Sequence, residues 1–248
     1  MYRKLLIPLA VIGGLLLLLT GCARIGGNSS LNAVQGTGEM VSRPFDVGDF
    51  NSINVGGSFV IVYRHSNEMA VTVAMQENLF EYLDVNTNGG QLVVGFSRGI
   101  SVTSGNNPRL YVYAPYLVAA DFSGAIDATG WDKIEVESFE VNASGAANID
   151  MTVAATNMTI EVSGAADIDL ELNVAELEIN ASGAGNLTLV GAADTINIRG
   201  SGSIGLFGGN LQVGSGYVNV SGAAEIVLSS LDNVDINVSG AARVRAAE

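Results

Sequence analysis

The chain has 248 residues, of which 48% are hydrophobic and only 6% aromatic, and 31 of them are glycines. Many small and aliphatic residues with few large rings favour stacked, narrow layers over a bulky globular core. The formal net charge is −14, and a surface this acidic repels phosphate backbones, which argues against any nucleic-acid partner.

The N-terminus has the pattern of an exported lipoprotein. Two basic residues precede an apolar stretch at 5–19, which is short for a transmembrane helix and typical of a signal-peptide core. The sequence LTGC at 19–22 resembles the lipobox of bacterial lipoproteins, in which the cysteine receives a diacylglycerol. We therefore predict a signal peptide over 1–21, lipidation of Cys22 and attachment to a membrane through that lipid. The alternative is a signal peptide whose cysteine is incidental.

Residues 22–36 are small and polar, so we expect a flexible tether between the lipid and the folded part. Cys22 is the only cysteine of the chain, and an acylated cysteine cannot also form a disulfide. Ala23 follows it in place of the aspartate of inner-membrane retention signals, which favours the outer membrane or the cell surface.

Residues 37–118 are predicted to form an irregular, β-rich N-terminal part. Four runs in it alternate apolar and polar residues and are rich in Val, Ile and Tyr, which predicts strands. The stretch ENLFEYL at 77–83 has helical spacing and is short. The four predicted strands are 52–63, 70–75, 91–96 and 109–115.

From residue 119 to residue 248 the sequence is a repeat marked by Ser-Gly pairs. Their spacings are 21, 19, 19, 19, 20 and 18 residues, and the intervening segments alternate with period two, which argues against helical repeats. Each unit is predicted to hold two short strands and two corners, one at Ser-Gly and one variable, as at 154–157 and 173–176. Coiling the chain once in about 19 residues builds an all-β solenoid (a β-helix) of short parallel coils about 4.8 Å apart.

Alternation also predicts which side chains face inward. A one-residue slip would invert every layer, so we expect the Ser-Gly corner to fix the register between coils. One polar column should lie two residues before each serine, comprising Asp121, Asn142, Glu161, Asn180, Arg199, Asn219 and Asn237. Another should lie four residues after it, comprising Asn148, Asp167, Asn186, Glu225 and Arg243. The predicted interior includes Ile149, Met151, Val153, Met158, Ile160, Val162, Ile168, Leu170, Leu172, Leu177, Ile179 and Ala181.

The repeated serines have two interpretations, a reactive site displayed several times or a corner of the fold. A hydrolase nucleophile needs a base within hydrogen-bond reach, and the single histidine, His65, lies far upstream. None of the repeated serines lies in a Gly-x-Ser-x-Gly elbow. We therefore predict structural corners, at which glycine adopts unusual backbone angles and the serine hydroxyl bonds local backbone. These corners include Ser144, Gly145, Ser163, Gly164, Ser182, Gly183, Ser221, Gly222, Ser239 and Gly240.

Two surface features have the chemistry to bind ligands. Asp150 and Asp169 on neighbouring coils are weak candidates for calcium, but the Gly-Gly-x-Gly-x-Asp pattern of calcium-binding β-rolls is absent, so no cofactor is predicted. A group of aromatic residues is a candidate surface for stacking on sugars, and its alternative role is packing between the two halves. The group consists of Tyr111, Tyr113, Tyr116 and Trp131.

The order of these motifs resembles the bacterial domain family described as "putative auto-transporter adhesin, head GIN domain". The segments 36–63, 77–85, 91–99 and 109–130 carry the resemblance, and the Ser-Gly-Ala series follows them. A mild departure is Val-Gly-Gly-Ser at 55–58, where relatives often have a Ser-Gly-Ser-type corner. The resemblance implies an exported, all-β, solenoid-like domain and a role in adhesion, and it carries no catalytic residues.

We therefore predict a non-catalytic, lipid-anchored β-solenoid of the cell envelope, acting as an adhesin-like binding module or a structural module. Its ligand would be a glycan or a protein on the cell surface. The alternative is a carbohydrate-active enzyme, or a polysaccharide-binding protein, on a β-helix scaffold. An enzyme should show a cleft where two or more acids converge with an arginine or with His65.

Overall fold

Alternating apolar and polar residues form strands throughout residues 32–247, the part of the chain that the computed structural model describes. Strands make up 74% of the structure and helix 3%, which confirms the all-β class. No helix within this range is long and apolar enough to cross a membrane. The elements are β1 Asn32–Gln35, β2 Met40–Phe45, β3 Ser52–His65, β4 Ala70–Gln76, a 3₁₀ helix Glu77–Tyr82, β5 Leu83–Asn88, β6 Gln91–Phe96, β7 Ile100–Thr103, β8 Arg109–Ala114, β9 Ala119–Ala128, β10 Ile134–Ala143, β11 Ala146–Val162, β12 Ala165–Ala181, β13 Ala184–Gly222, β14 Glu225–Leu228, β15 Val234–Val238 and β16 Arg243–Ala246.

The predicted signal peptide and Cys22 lie outside the described residues. The predicted tether, 22–36, extends into them, and there its last residues form strand β1, which pairs in parallel with β7. Val34 packs against the hydrophobic core, and the burial of its apolar side chain stabilises this strand. The tether prediction is therefore wrong for residues 32–35.

The strands predicted in the N-terminal part are confirmed. β3, β4, β6 and β8 cover the four predicted runs, and the short helical stretch is the 3₁₀ helix, which buries Leu79. β4 pairs antiparallel with both β2 and β8, while β3 pairs in parallel with β6, β8 and β9. Strand β3 therefore joins this irregular part to the solenoid.

From β9 onward each coil pairs in parallel with the coil before it, and about seven turns repeat with a period of about 19 residues. Ile149 pairs with Ile168, and Ile168 pairs with Leu187, so like residues stack in columns. The predicted solenoid and its register are confirmed. All twelve predicted interior residues are buried: Ile149, Met151, Val153, Met158, Ile160, Val162, Ile168, Leu170, Leu172, Leu177, Ile179 and Ala181.

The variable corners differ from the prediction of two separate strands in each coil. At 154–157 and 173–176 the chain bends while remaining in strand, and β11 and β12 run through these bends. The reason is that backbone groups at the bend still face the next coil, as in the pair Ala155 and Val174. At 229–233 the chain does leave the ladder, and Asn233 there adopts a φ of 60°.

At the Ser-Gly corners the backbones of successive coils approach too closely for any side chain. A Cβ atom on Gly164 would lie 2.0 Å from the carbonyl oxygen of Gly145. That same oxygen accepts a hydrogen bond of 2.9 Å from the backbone N–H of Ala165. Because the contact involves the hydrogen-bonded ladder itself, no side-chain movement can relieve it. We call this stack the glycine column; it comprises Gly57, Gly124, Gly145, Gly164, Gly183, Gly202, Gly222 and Gly240.

The glycine column begins before residue 119, where the repeat was predicted to start. Gly57 of β3 pairs with Gly124 of β9, and a Cβ on Gly124 would lie 2.1 Å from the carbonyl oxygen of Gly57. Gly124 also has a φ of 122°, which only glycine adopts readily. The Val-Gly-Gly-Ser segment at 55–58 therefore makes the first corner of the solenoid.

Replacing one glycine of the column tests its role. Gly164→Ala should lower the free energy of unfolding by about 3 kcal/mol or more, because the added methyl overlaps a backbone acceptor. The matched control is Gly105→Ala, because no atom lies within 4 Å of the Cβ it adds, and its effect should stay within about 1 kcal/mol. Urea unfolding followed by circular dichroism measures both, and equal effects would contradict the role of the column.

Candidate functional site

A groove of about 550 Å³ follows the Ser-Gly corners across successive coils. Strand alternation points the residue two before each serine outward, and the parallel register stacks these residues from coil to coil. The groove therefore presents amide, carboxylate, guanidinium and hydroxyl groups in a regular series. Its polar lining comprises Asn142, Glu161, Asn180, Arg199 and Asn219 together with Ser144, Ser163, Ser182, Ser201 and Ser221.

The predicted column of amides along this groove is present, but its amides bond to carboxylates rather than to one another. The Asn142 side-chain amide donates to Asp121 Oδ1 at 2.6 Å and to Glu140 Oε1 at 2.9 Å. Arg199 donates to Glu178 Oε1 at 2.7 Å. The side-chain oxygen of Asn142, Oδ1, is buried and has no hydrogen-bond partner within the described residues. The upstream end of the groove is therefore tightly fixed and rich in acceptors.

The corner serines are exposed along the groove, apart from half-buried Ser221, and contribute little to the corner itself. Among the corner serines, only Ser144 bonds backbone through its hydroxyl, which donates over 3.3 Å to the carbonyl oxygen of Phe122 on the preceding coil. Backbone N–H groups hold the other corners, as in Ser163 N to Ala143 O at 2.9 Å. The expected hydroxyl bond to local backbone is thus not found at the described corners. No histidine lines the groove to activate a serine.

The second polar column lies on the other side of the corner. Asp150 and Asp169 are in register on neighbouring coils, and Asn186 donates to Asp167 Oδ1 at 3.0 Å. Over residues 32–247 no group of three or more histidines, cysteines and carboxylates is placed to hold a metal ion. At the last coil, Arg245 rather than Arg243 pairs with Glu225, at 3.4 Å.

The four predicted aromatic residues do not form one surface. Trp131 is buried, donates its indole N–H to the carbonyl oxygen of Ile61 at 2.9 Å, and packs against Tyr63 and Phe122. Its apolar ring and single donor are both satisfied inside the protein, so it is not part of a ligand surface. Tyr111 is half-buried, whereas Tyr113 and Tyr116 are exposed.

A second cavity, of about 400 Å³, lies where β3, the turn before β9 and the segment before β10 meet. His65, Asp132 and Glu135 line it, so it has the composition expected of a catalytic cleft. Asp132 is already engaged, because its Oδ2 accepts the backbone N–H of His65 at 2.9 Å and Arg64 lies 3.6 Å from its Oδ1.

The ionisation of Glu135 argues against acid catalysis in this cavity. A hydrogen bond from Lys133 and the charge of that ammonium lower the pKa of Glu135. A general acid at neutral pH needs the opposite shift. Burial, together with the negative charge of Asp132, raises the pKa of Tyr63, which keeps that phenol neutral. The lowered pKa therefore argues against Glu135 as a general acid.

The sequence matches the family model described as "Putative auto-transporter adhesin, head GIN domain" over residues 49–171 and again over 152–247. The chain belongs to this family. The double match agrees with the structure, because β3 and the coils that follow share one corner geometry. The match thus extends from β3 to the last coil.

Solved structures share the fold of this head GIN protein. One, described as a putative adhesin from Parabacteroides distasonis, has a TM-score of 0.69 at 22% identity and covers 87% of this chain and 96% of its own. Another, described as a putative adhesin from Parabacteroides merdae, has a TM-score of 0.66 at 19% identity and covers 88% and 100%. A third, described as a putative lipid binding protein from Parabacteroides distasonis, has a TM-score of 0.71 at 17% identity with the same coverage. No curated protein matches the sequence.

The hydrogen bonds of Asn142 generate a prediction for the groove. Asn142→Asp replaces a donor to two carboxylates with a third carboxylate, so the free energy of unfolding should fall by about 1–3 kcal/mol at neutral pH. Neighbouring charges would raise the folded-state pKa of the new acid, so the loss should shrink as pH falls through that raised value and should be gone below about pH 4, the ordinary pKa of aspartate. The control is Asn219→Asp, in the same groove lining as Arg199. It should leave the free energy of unfolding nearly unchanged. Equal losses in urea unfolding would contradict the hydrogen-bond assignment.

Proposed function

We propose that this head GIN protein is a lipid-anchored, adhesin-like binding module of the cell envelope, and that it holds an extended glycan along its corner groove. The carrying observation is the groove itself, about 550 Å³ in volume, with hydrogen-bonding groups contributed by each coil. Coils repeat about every 4.8 Å, so a ligand that also repeats can make the same contacts several times. A polymer of sugar residues has this property.

The chemistry of the groove favours sugar hydroxyls over other ligand groups. Side-chain amides and serine hydroxyls both donate and accept hydrogen bonds, as sugar hydroxyls do. The one cation of the groove, Arg199, is already paired with Glu178, and Glu161 makes no ion pair within the described residues. A strongly anionic ligand therefore has little to attract it. The adhesin descriptions of the family and of two solved relatives support the same function.

The lipid anchor would place this groove at the surface of an envelope membrane. The lipobox-like LTGC sequence and the apolar stretch before it support lipidation of Cys22 and export. The outer membrane or the cell surface is the proposed location. A carbohydrate-active enzyme on the same scaffold is not favoured, because both acids of the second cavity are already paired, Asp132 with Arg64 and Glu135 with Lys133.

Glycan binding by the purified full chain in detergent tests the groove. Removing two amides with Asn180→Ala and Asn219→Ala should weaken binding to an extended neutral polysaccharide about tenfold or more, because each amide contributes a hydrogen bond. The matched control combines Asn148→Ala with Asn186→Ala, in the column on the other side of the corner. Biolayer interferometry on a polysaccharide panel compares the two pairs. Absence of binding by the unaltered chain, or equal losses in the two pairs, would refute the proposal.

Labelling of cells with an alkyne-bearing fatty acid tests the anchor. The unaltered protein should take up the label and sediment with membranes, whereas Cys22→Ser should lose both properties, because the acylated thiol is gone. Protease digestion of intact cells then reports whether the anchored protein faces outward. A Cys22→Ser protein that still carries the label would contradict lipidation at this residue.

A further inference from the structure

The single histidine and the last lysine of the chain meet in one cavity. His65 ends strand β3 and Lys133 precedes strand β10, so 68 positions separate them in the sequence. Both line the second cavity, of about 400 Å³, together with Tyr116, Asp132 and Glu135. In a protein of net charge −14, His65, Lys133 and Tyr116 bring together donors for an anion, beside the acceptors Asp132 and Glu135.

The cavity has an apolar base that is already rigid. Tyr63, Leu117 and Ile134 are buried there, and the Tyr63 hydroxyl donates to the carbonyl oxygen of Ala114 at 3.2 Å. The Trp131 ring packs against Tyr63 with centroids 5.5 Å apart, which fixes the start of the segment that carries Asp132 and Lys133. A volume near 400 Å³ is typical of small-ligand sites.

The rim of the cavity has one accessible aromatic ring. The side chain of Tyr116 is 48% exposed although it lines the cavity, so one face of its ring is free to pack against a ligand. A tyrosine supplies apolar area and a polar edge at low entropic cost. The apolar face of a pyranose ring is a suitable partner for such a surface.

The charged groups at the rim are of two kinds. Asp132 is fixed, because it holds the backbone of His65 and Arg64 lies beside it. Lys133 and Glu135 instead form a pair in which the two side chains are 50% and 68% exposed. Exposed pairs of this kind contribute little to stability. A carboxylate from a ligand can therefore replace Glu135 on the Lys133 ammonium at small cost.

We propose that this cavity binds one carboxylate-bearing sugar residue, with its ring against Tyr116 and its carboxylate on Lys133 and His65. Asp132 and Glu135 at the rim supply acceptors for the sugar hydroxyls. This site is separate from the corner groove and takes a different ligand, a single acidic residue rather than a run of neutral ones. Its occupation does not require the groove to bind anything.

Titration of the full chain with glucuronate, glucose and acetate tests this site, with isothermal calorimetry and ligand-observed NMR as readouts. Glucuronate should bind at least tenfold more tightly than glucose or acetate, because only glucuronate provides both the ring and the carboxylate. Tyr116→Ala and Lys133→Gln should each weaken glucuronate binding about tenfold. The matched control is Tyr113→Ala, because Tyr113 is also exposed but lies outside the cavity.

Glu135→Gln gives the sharpest test, because it should strengthen glucuronate binding about threefold by freeing the Lys133 ammonium. Melting temperatures of all variants report whether they are folded, and Glu135→Gln replaces an exposed side chain that is not needed for folding. Absence of glucuronate binding, equal binding of glucose, or weaker binding by Glu135→Gln would each overturn the proposal. The groove pair Asn180→Ala and Asn219→Ala should leave glucuronate binding unchanged, which separates failure here from failure of the groove.

Discussion

The close approach of backbone to backbone in the glycine column is the constraint on which the rest of the structure depends. From Gly124 to Gly240, each glycine leaves room for the carbonyl oxygen of the glycine one coil earlier, beginning with that of Gly57. That oxygen also accepts a hydrogen bond from the coil above, as in Ala184 N to Gly164 O at 3.0 Å. Any side chain at these positions would separate the coils. Because a strand that slips by one residue exposes its core face, a corner that accepts only glycine also fixes which residues are buried.

The two candidate binding surfaces follow from this constraint in different ways. The corner groove is made by repetition, because a fixed register places one outward residue of each coil in a column beside the serines. The second cavity is made by convergence, because the segments before β9 and β10 meet the end of β3 there. Repetition suits a ligand that is itself a repeat, whereas convergence of different groups suits a single small residue. Because the two surfaces are separate, the two proposed ligands, a polymer in the groove and a single sugar residue in the cavity, would not compete.

Much of this fold is predictable from the sequence because it repeats. Alternation and the spacing of the Ser-Gly pairs predict the interior columns, and Ile168 lies between Ile149 and Leu187 as expected. The spacing of the Ser-Gly pairs did not place the start of the solenoid at Gly57, because Gly57 lies outside that regular spacing. The resemblance suggested a corner at 55–58, and the pairing of Gly57 with Gly124 shows that it belongs to the glycine column. The burial of Trp131 could not be predicted, because its indole N–H donates a hydrogen bond to the carbonyl oxygen of Ile61, which is seventy residues away in the sequence. The cavity around His65 and Lys133 was not predicted, because these residues are far apart in the sequence and only the fold brings them together. Each is the only residue of its type after the predicted signal peptide.

Hydrogen exchange of the corner amides tests the central claim most directly. The backbone N–H groups of Ala165 and Ala184 belong to residues exposed at the surface, yet each donates to the carbonyl oxygen of a glycine one coil earlier. If the glycine column holds the coils together, these amides open only with the solenoid itself and exchange within about tenfold of the buried strand amide of Ile168. Exchange as fast as at Gly105, in an open loop, would show that the corners fray independently and would contradict the account.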